Sequence, residues 1–322
     1  MATPKSIFLL IKNMQRIKTL ENISLQESWI TIGAFDGVHR GHRALLEPLA
    51  IDAHKNGGNA VVITFFPHPA VVLRDIQTPF YLTSPEDKAI LMKNLGIDHI
   101  ITLPFTREFA TQSAVMFVSQ LVERLGMRQI WAGVDFSFGR NREGDIKMLE
   151  KLGSTMGFEA RIVAPISEEG KKISSSHIRR QLSEGKVSEA ADLLGRLYAV
   201  QGKVIHGDSR GASIGFATAN LQVWHEQLLP RLGVYATWVT VGAERYPAVT
   251  NIGMRPTFET LTVQPRIETH LLDFSGDLYD KHIQIDFVEF VRPEKRFSSV
   301  AELKKQIEKD IHFAWEVFEH AH

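Results

Sequence analysis

No cysteine occurs among the 322 residues. That absence excludes a disulfide framework, thiolate metal sites and cysteine nucleophiles, and it fits a reducing compartment. Long apolar runs are missing too, since the longest mostly apolar stretch, Ala60 to Phe66, is far shorter than a membrane span. The start of the chain holds only a short apolar patch, Ile7 to Ile11, with no small-residue cleavage site after it, so it does not read as a signal peptide. A cytoplasmic protein with no membrane partner is expected. Neither sign of charge is in excess, with 37 Lys and Arg against 37 Asp and Glu. Residues up to Lys186 carry 23 basic and 19 acidic side chains, net +4, and the remainder carries 14 and 18, net −4. That polarity is mild and no basic patch concentrates it, so nucleic acid is not an expected partner. Chemistry must therefore come from His, Ser, Thr, carboxylates, Lys, Arg or backbone.

The length suits two domains, and 44% hydrophobic with 23% charged residues is ordinary for a globular chain. From residue 29 to about 187, short β-rich runs alternate with helical periods, the mark of a parallel sheet with helices packed on it. Strands are predicted at Trp29 to Gly33, Asn59 to Phe66, His99 to Leu103, Arg128 to Gly133 and Phe158 to Val163. Helices are predicted at Gly41 to Lys55, from Ser84 to a stop at Gly96, at Ser113 to Leu125, and at Ser176 to Glu184 with Gly185 as its stop. After Gly195 the rhythm changes to strands with alternating faces, as at Val234 to Val241, Ile267 to Leu272 and Ile283 to Phe287. That pattern favours a small antiparallel barrel, closed by a helix from Ser299 to about His320. The two domains are taken as 1–187 and 188–322.

Gly33-Ala34-Phe35-Asp36-Gly37-Val38-His39-Arg40-Gly41-His42 stands where the first strand hands over to the first helix. This is the carboxyl edge at which open α/β sheets bind ligands. Its glycines let a nucleotide approach the backbone, the helix N-terminus favours anionic phosphate, and two histidines three residues apart can donate to phosphate oxygens. Adenylyl transfer asks for such donors around an in-line displacement and for no protein nucleophile. The plainer reading makes the histidines a helix cap and a surface residue. A metal site on His39 and His42 lacks a third ligand nearby in sequence.

Three further stretches fit the same chemistry. Ile173-Ser174-Ser175-Ser176-His177-Ile178-Arg179 opens a helix with hydroxyls and a guanidinium, suited to β- and γ-phosphates, though alone it is an N-cap. Gly133-Val134-Asp135-Phe136-Ser137-Phe138-Gly139 follows the fourth strand, where an acid can take ribose hydroxyls. Pro67-His68-Pro69 is a rigid turn that either borders an acceptor pocket or is only a turn.

With these residues in view, the chain resembles the bacterial bifunctional riboflavin kinase/FAD synthetase family nearly end to end. The Gly-x-Phe-Asp-Gly-Val-His-x-Gly-His, Pro-His-Pro, Gly-x-Asp-Phe-x-Phe-Gly and Ile-Ser-Ser-x-x-Ile-Arg elements stand in family order. The resemblance implies a Rossmann-like nucleotidyltransferase domain that transfers AMP from ATP to FMN. It places His39, His42, Ser175 and Arg179 on the triphosphate, Asp135 near the ribose, and Gly33, Phe35, Asp36, Gly41 and Ser176 around ATP. Pro67, His68 and Pro69 would border the flavin. Ser176 replaces a usual threonine and keeps the hydroxyl.

The second half carries a glycine-rich loop, His206 to Asn220, with Gly207, Gly211 and Gly215 and ending on Thr218 and Asn220. Those two oxygen-bearing side chains suit Mg²⁺, a hard cation that shares its shell with phosphates. The stretch resembles the signature of the family's riboflavin kinase barrel. Asn251 to Phe258, Ile267 to Phe274 and Arg292 to Phe297 continue the match. By this resemblance Glu268 is the general base for the riboflavin 5′-hydroxyl. The substrates implied are ATP, riboflavin and FMN, with self-association into a homo-oligomer left open. Departures are Ala212 and Ala217 in place of arginine and proline, Asp280 in place of glycine, and Trp315 in place of arginine. They leave two alternatives standing beside the two-step enzyme: a monofunctional FMN adenylyltransferase with a degenerate kinase barrel, and a flavin-binding protein without turnover.

Overall fold

The computed structural model describes residues 19–21, 23–164, 166–168, 171–207, 215–255 and 264–320. The chain divides into two compact units, one ending at Ser175 and the other beginning at Ser176.

In the first unit five strands, β1 (Ser28–Ile32), β2 (Asn59–Phe66), β3 (His99–Pro104), β4 (Met127–Gly133) and β5 (Glu159–Val163), form a parallel sheet in the order β3-β2-β1-β4-β5. Side chains of a strand alternate between faces, and here both faces are apolar. Ile30, Ile32, Val61 and Ile63 join Phe117, Leu121 and Leu149 in one buried layer. Trp29, Val62 and Trp131 join Leu46, Leu49 and Met92 in the other. The helices are α1 (Arg40–Lys55), α2 (Pro69–Arg74), α3 (Pro85–Lys93), α4 (Ala114–Leu125) and α5 (Ile146–Met156). Ser84 caps α3 as the sequence predicts, and Ser113, expected as the first residue of its helix, caps α4; each accepts a hydrogen bond from the backbone N–H three residues on. Two helices of this unit go beyond the sequence reading. Helix α5 starts on Asp145, which accepts from Met148 N–H, and stops at left-handed Gly157; α2 is a short turn of helix after Pro67. Chain order reverses at β1, because β2 and β4 flank it. The carboxyl end of β1 is thus the switch point where such sheets open a crevice.

A short antiparallel pair, β6 (Ser167–Glu168) and β7 (Lys171–Lys172), precedes α6 (Ser175–Glu184) and α7 (Val187–Leu194). Strands β8 (Tyr198–Ile205), β9 (Ala219–Val223), β10 (Gly233–Val241), β11 (Glu244–Arg255), β12 (Gln264–Leu271) and β13 (His282–Arg292) close into an antiparallel barrel in the order β10-β11-β12-β9-β8-β13. Ile283, Ile285 and Phe287 fill its interior, with Tyr198 and Tyr235 packed against Phe287. Inside, the Thr237, Thr250 and Thr269 hydroxyls form a chain at 2.7 and 2.8 Å, satisfying one another where no water reaches.

Helix α8 (Val300–His320) lays Ala314 and Phe318 against Ala236, Trp238 and Val249 on the barrel's outer wall. A largely buried ion pair fastens it. Asp310, 4% exposed at its side chain, receives Arg292 Nε at 2.9 Å and Nη2 at 2.7 Å, and Gln306 Nε2 at 2.9 Å. Removing Asp310 leaves the Arg292 guanidinium, 19% exposed, with the Pro293 carbonyl in place of its carboxylate, so Asp310→Ala is expected to destabilise the barrel unit by about 1–3 kcal/mol. Urea unfolding followed by tryptophan fluorescence checks this; a midpoint equal to the wild-type value would contradict it.

Candidate active sites

Between β1 and α1 the backbone is forced into a tight, partly left-handed turn, with φ of 48° at Phe35, 81° at Gly37 and 38° at Val38. Only Gly37 takes such a value without steric cost. The turn is held by its neighbours. Buried Asp36 accepts from Leu82 N–H at 3.0 Å and Thr83 N–H at 3.3 Å, and Gly37 N–H donates to Thr83 Oγ1 at 3.3 Å. Asp36 thereby braces the turn through its carboxylate. Its carbonyl accepts from Ser175 Oγ at 2.9 Å, which brings the Ile173-Ser174-Ser175 stretch to the same place. At Gly41 the packing is tight, since a Cβ would stand 3.1 Å from the His39 ring and 3.4 Å from the Ile173 carbonyl.

His39 is the N-cap of α1, its Nδ1 accepting from His42 N–H at 3.2 Å. An accepting Nδ1 places the proton of the neutral ring on Nε2, so His39 is a cap and an Nε2–H donor at once. The two rings stack at 3.6 Å and 16°, and Phe35 closes edge-on over His42 at 5.2 Å. Burial, then His39, then Lys88 hold the His42 ring well below the ordinary histidine range, so it is neutral at physiological pH. His42 Nδ1 is buried with no hydrogen-bond partner. A buried polar atom without a partner is rare in a folded protein and marks a position that a ligand can satisfy.

The other expected residues of this unit are placed as follows. Asp135 lies exposed beyond β4 and pairs with Lys172, beside the stacked rings of Phe136 and Phe138. His68, between Pro67 and Pro69, caps α2 by accepting from Ala70 N–H at 3.0 Å, while its own N–H donates to Tyr81 Oη at 2.8 Å. Gly33 closes β1 through its N–H to the Ile63 carbonyl at 3.0 Å. Exposed Ser176 and half-buried Arg179 ride on α6, in the part of the chain that belongs to the second unit.

On the barrel, register assembles the second constellation. Glu268 of β12 stands opposite Asn220 of β9 on one side and Asn251 of β11 on the other. Ile267 and Thr269 point into the core, so Glu268 and its two cross-strand amides share the outer face. Thr218 precedes Asn220 by two residues. Gly207 is required at the entrance, because a Cβ there would fall 2.0 Å from Asn220 Nδ2. His270 Nδ1–H donates to the Ala217 carbonyl at 2.7 Å and fixes the segment that follows Gly215. Glu294, after β13, reaches back over Gly253, where a Cβ would meet its Oε1 at 2.3 Å. Asn251, His270 and Glu294 were legible only as parts of motifs, without individual roles. Asp280 has a φ of 61°, which accounts for a glycine preference there, and Lys203 meets its carboxylate at 2.7 Å. Gly211 and Ala212 lie outside the described residues. Among the described residues no three His, Cys, Asp or Glu side chains are grouped to hold a metal.

Residues 21–177 match the family model described as FAD synthetase, and residues 194–318 match the one described as riboflavin kinase. The bifunctional riboflavin kinase/FMN adenylyltransferase of Escherichia coli K12 is 39% identical over 310 residues, 95% of this chain and 98% of that protein. The protein of the same name from Listeria monocytogenes is 40% identical over 282 residues, 87% of this chain and 89% of its own. A crystal structure named macrolide-efflux protein, from Streptococcus pneumoniae, superposes with a TM-score of 0.85 at 29% identity, covering 94% of this chain and 98% of that one. Among the described residues no helix is long and apolar enough to cross a membrane.

Proposed function

The chain belongs to the bifunctional riboflavin kinase/FMN adenylyltransferase family, and from that premise we propose how its two sites divide the work. It phosphorylates riboflavin with ATP to give FMN, then transfers AMP from a second ATP to FMN, giving FAD and pyrophosphate. We assign the second reaction to residues 1–187 and the first to 188–322; Ser175 and Arg179 on α6 serve the first-domain chemistry.

In adenylyl transfer an FMN phosphate oxygen attacks the α-phosphorus of ATP, and the bond to the α–β bridging oxygen breaks as pyrophosphate leaves. The chain's own part is to hold negative charge in place. His39 Nε2–H, His42, the N-terminus of α1, Ser175 and Arg179 take phosphate oxygens, and Gly33, Phe35, Gly41 and Ser176 shape the ATP seat. Asp135 takes ribose hydroxyls, exchanging its Lys172 partner for them. Pro67, His68 and Pro69 edge the flavin. The observation that carries this assignment is His42 Nδ1, buried without a partner at the switch point of the sheet.

In the barrel Glu268 takes the proton from the riboflavin 5′-hydroxyl as that oxygen attacks the γ-phosphorus and ADP leaves. The oxygens of Thr218 and Asn220 beside Glu268 fit Mg²⁺, with Gly207 giving the loop its close approach to Asn220 and Gly215 its left-handed φ of 93°. Bound there, Mg²⁺ would neutralise phosphate charge. The cytoplasm is the proposed place of work, with small molecules as the partners. Riboflavin, ATP and Mg²⁺ supplied together should yield FMN first and FAD after it, read by chromatography. FAD from FMN alone would point to the degenerate-kinase reading, and no product at all to a flavin binder. Chelation of Mg²⁺ should stop riboflavin phosphorylation; turnover unchanged in excess EDTA would contradict the metal assignment.

A further inference from the structure

Lys88 lies on α3, outside every motif, yet only 8% of its surface is exposed. A buried lysine is unusual unless its ammonium is engaged. Here Nζ donates to the Ala34 carbonyl at 3.0 Å and to Thr64 Oγ1 at 2.9 Å, while the Thr64 hydroxyl donates to the same carbonyl at 3.1 Å. Two ammonium protons and the hydroxyl proton are used in this triangle: ammonium to carbonyl, ammonium to hydroxyl oxygen, hydroxyl proton to carbonyl. Thr64 is fully buried on β2, the neighbour of β1. The clamped peptide immediately precedes Phe35, whose left-handed φ of 48° opens the turn and whose ring covers His42.

We propose that Lys88 is the positioning residue of the adenylyl-transfer turn: from α3 it locks the Ala34 carbonyl to Thr64, and so sets the strained Phe35 backbone that aims His39 and His42. The inference rests on the reading that this turn carries AMP transfer. A non-glycine residue at positive φ keeps that conformation only where its surroundings over-determine it, and the triangle supplies the constraint at one end. The Asp36 contacts to Leu82 and Thr83 supply it at the other. Both anchors reach the one segment that runs from Leu82 into α3, so that segment fastens the turn at both ends. Lys88 has an electrostatic role in the same place. Besides burial, the groups that act on the His42 charge are the stacked His39 ring and the Lys88 ammonium, while the Asp36 carboxylate of the same turn is bonded to the Leu82 and Thr83 backbone. Taking away the ammonium removes one cause of the lowered His42 proton affinity.

The test is Lys88→Met, which keeps the length of the side chain and loses its charge and donors, assayed in the full chain beside wild type, Lys88→Arg and His42→Ala. FAD formation from FMN is expected to fall about 10- to 100-fold in kcat, as misplaced catalytic groups do, with little change in KM for FMN. Riboflavin phosphorylation should be unaltered. The acid limb of kcat/KM for FAD formation should move to higher pH in Lys88→Met and stay in place in Lys88→Arg, which retains the charge. A purely structural role would lower activity in proportion to the folded fraction without moving that limb, and that result would overturn the inference. So would a Lys88→Met protein with wild-type rate and pH profile while His42→Ala is inactive. A His42→Ala protein with full FAD formation overturns the reading of the turn itself, and the clamp with it. Should Lys88→Met not fold, Thr64→Val breaks the same triangle at its hydroxyl, and a wild-type rate in that variant overturns the clamp equally.

Discussion

His42→Ala lowers FAD formation from FMN and ATP by about 100-fold or more, while riboflavin phosphorylation continues at its wild-type rate. The size follows from the loss of a preorganised group at a site where charge develops, in surroundings that exclude water. The selectivity follows from the division of the chain, since His42 lies in the unit that ends at Ser175 and Glu268 lies in the barrel. Circular dichroism should show the variant folded, because Phe35 and His39 remain to cover the gap. A pH signature accompanies it. The His42 ring is held well below 6.5 in the folded protein, chiefly by burial. As pH falls below that ordinary value the unfolded chain binds a proton that the folded chain refuses, so stability drops across the window between the two values. The alanine variant should show a shallower fall over the same window in urea melts at stepped pH.

Glu268→Ala has the opposite selectivity. Riboflavin phosphorylation should drop by about 100- to 10,000-fold, the range that a positioned general base contributes, while AMP transfer to supplied FMN is unchanged. The register explains why the barrel should survive the change. Glu268 projects from the outer face between Asn220 and Asn251, and the buried neighbours Ile267 and Thr269 keep the core. Equal loss of both reactions would mean that the carboxylate supports the fold rather than the proton transfer.

Much of this was legible in the sequence, for physical reasons that differ by element. The Asn59 to Phe66 run reads as a strand with identical bounds in the structure, because β-branched and aromatic residues between turn signals leave few alternatives. The alternation of Ile283, Ile285 and Phe287 with Gln284 and Asp286 placed the barrel interior correctly, since period two has one inward face. Helix α5 escaped even though Ile146, Leu149, Leu152 and Met156 recur at helical spacing and Asp145 and Gly157 mark both of its ends; Gly153 within it weakens the local helical signal. In the sites, motif spacing located His39 and His42 but not the double duty of His39 as cap and donor. Nor did it show that the Asp36 carboxylate braces the turn through the Leu82 and Thr83 backbone. Lys88 and Thr64 were invisible for a plainer reason. Their contact with Ala34 joins residues 54 and 30 positions away, and no local pattern records a contact made by strand order and helix packing.

The claim that two separate sites on one chain perform consecutive reactions is tested most directly by mixing two inactive partners. His42→Ala and Glu268→Ala are each incubated with riboflavin, ATP and Mg²⁺, alone and together, and flavins are separated by chromatography. Alone, the first should stop at FMN and the second should leave riboflavin untouched. Together they should make FAD, because FMN released by one protein is adenylylated by the other. A mixture that accumulates FMN and forms no FAD, with both proteins folded, would contradict the account.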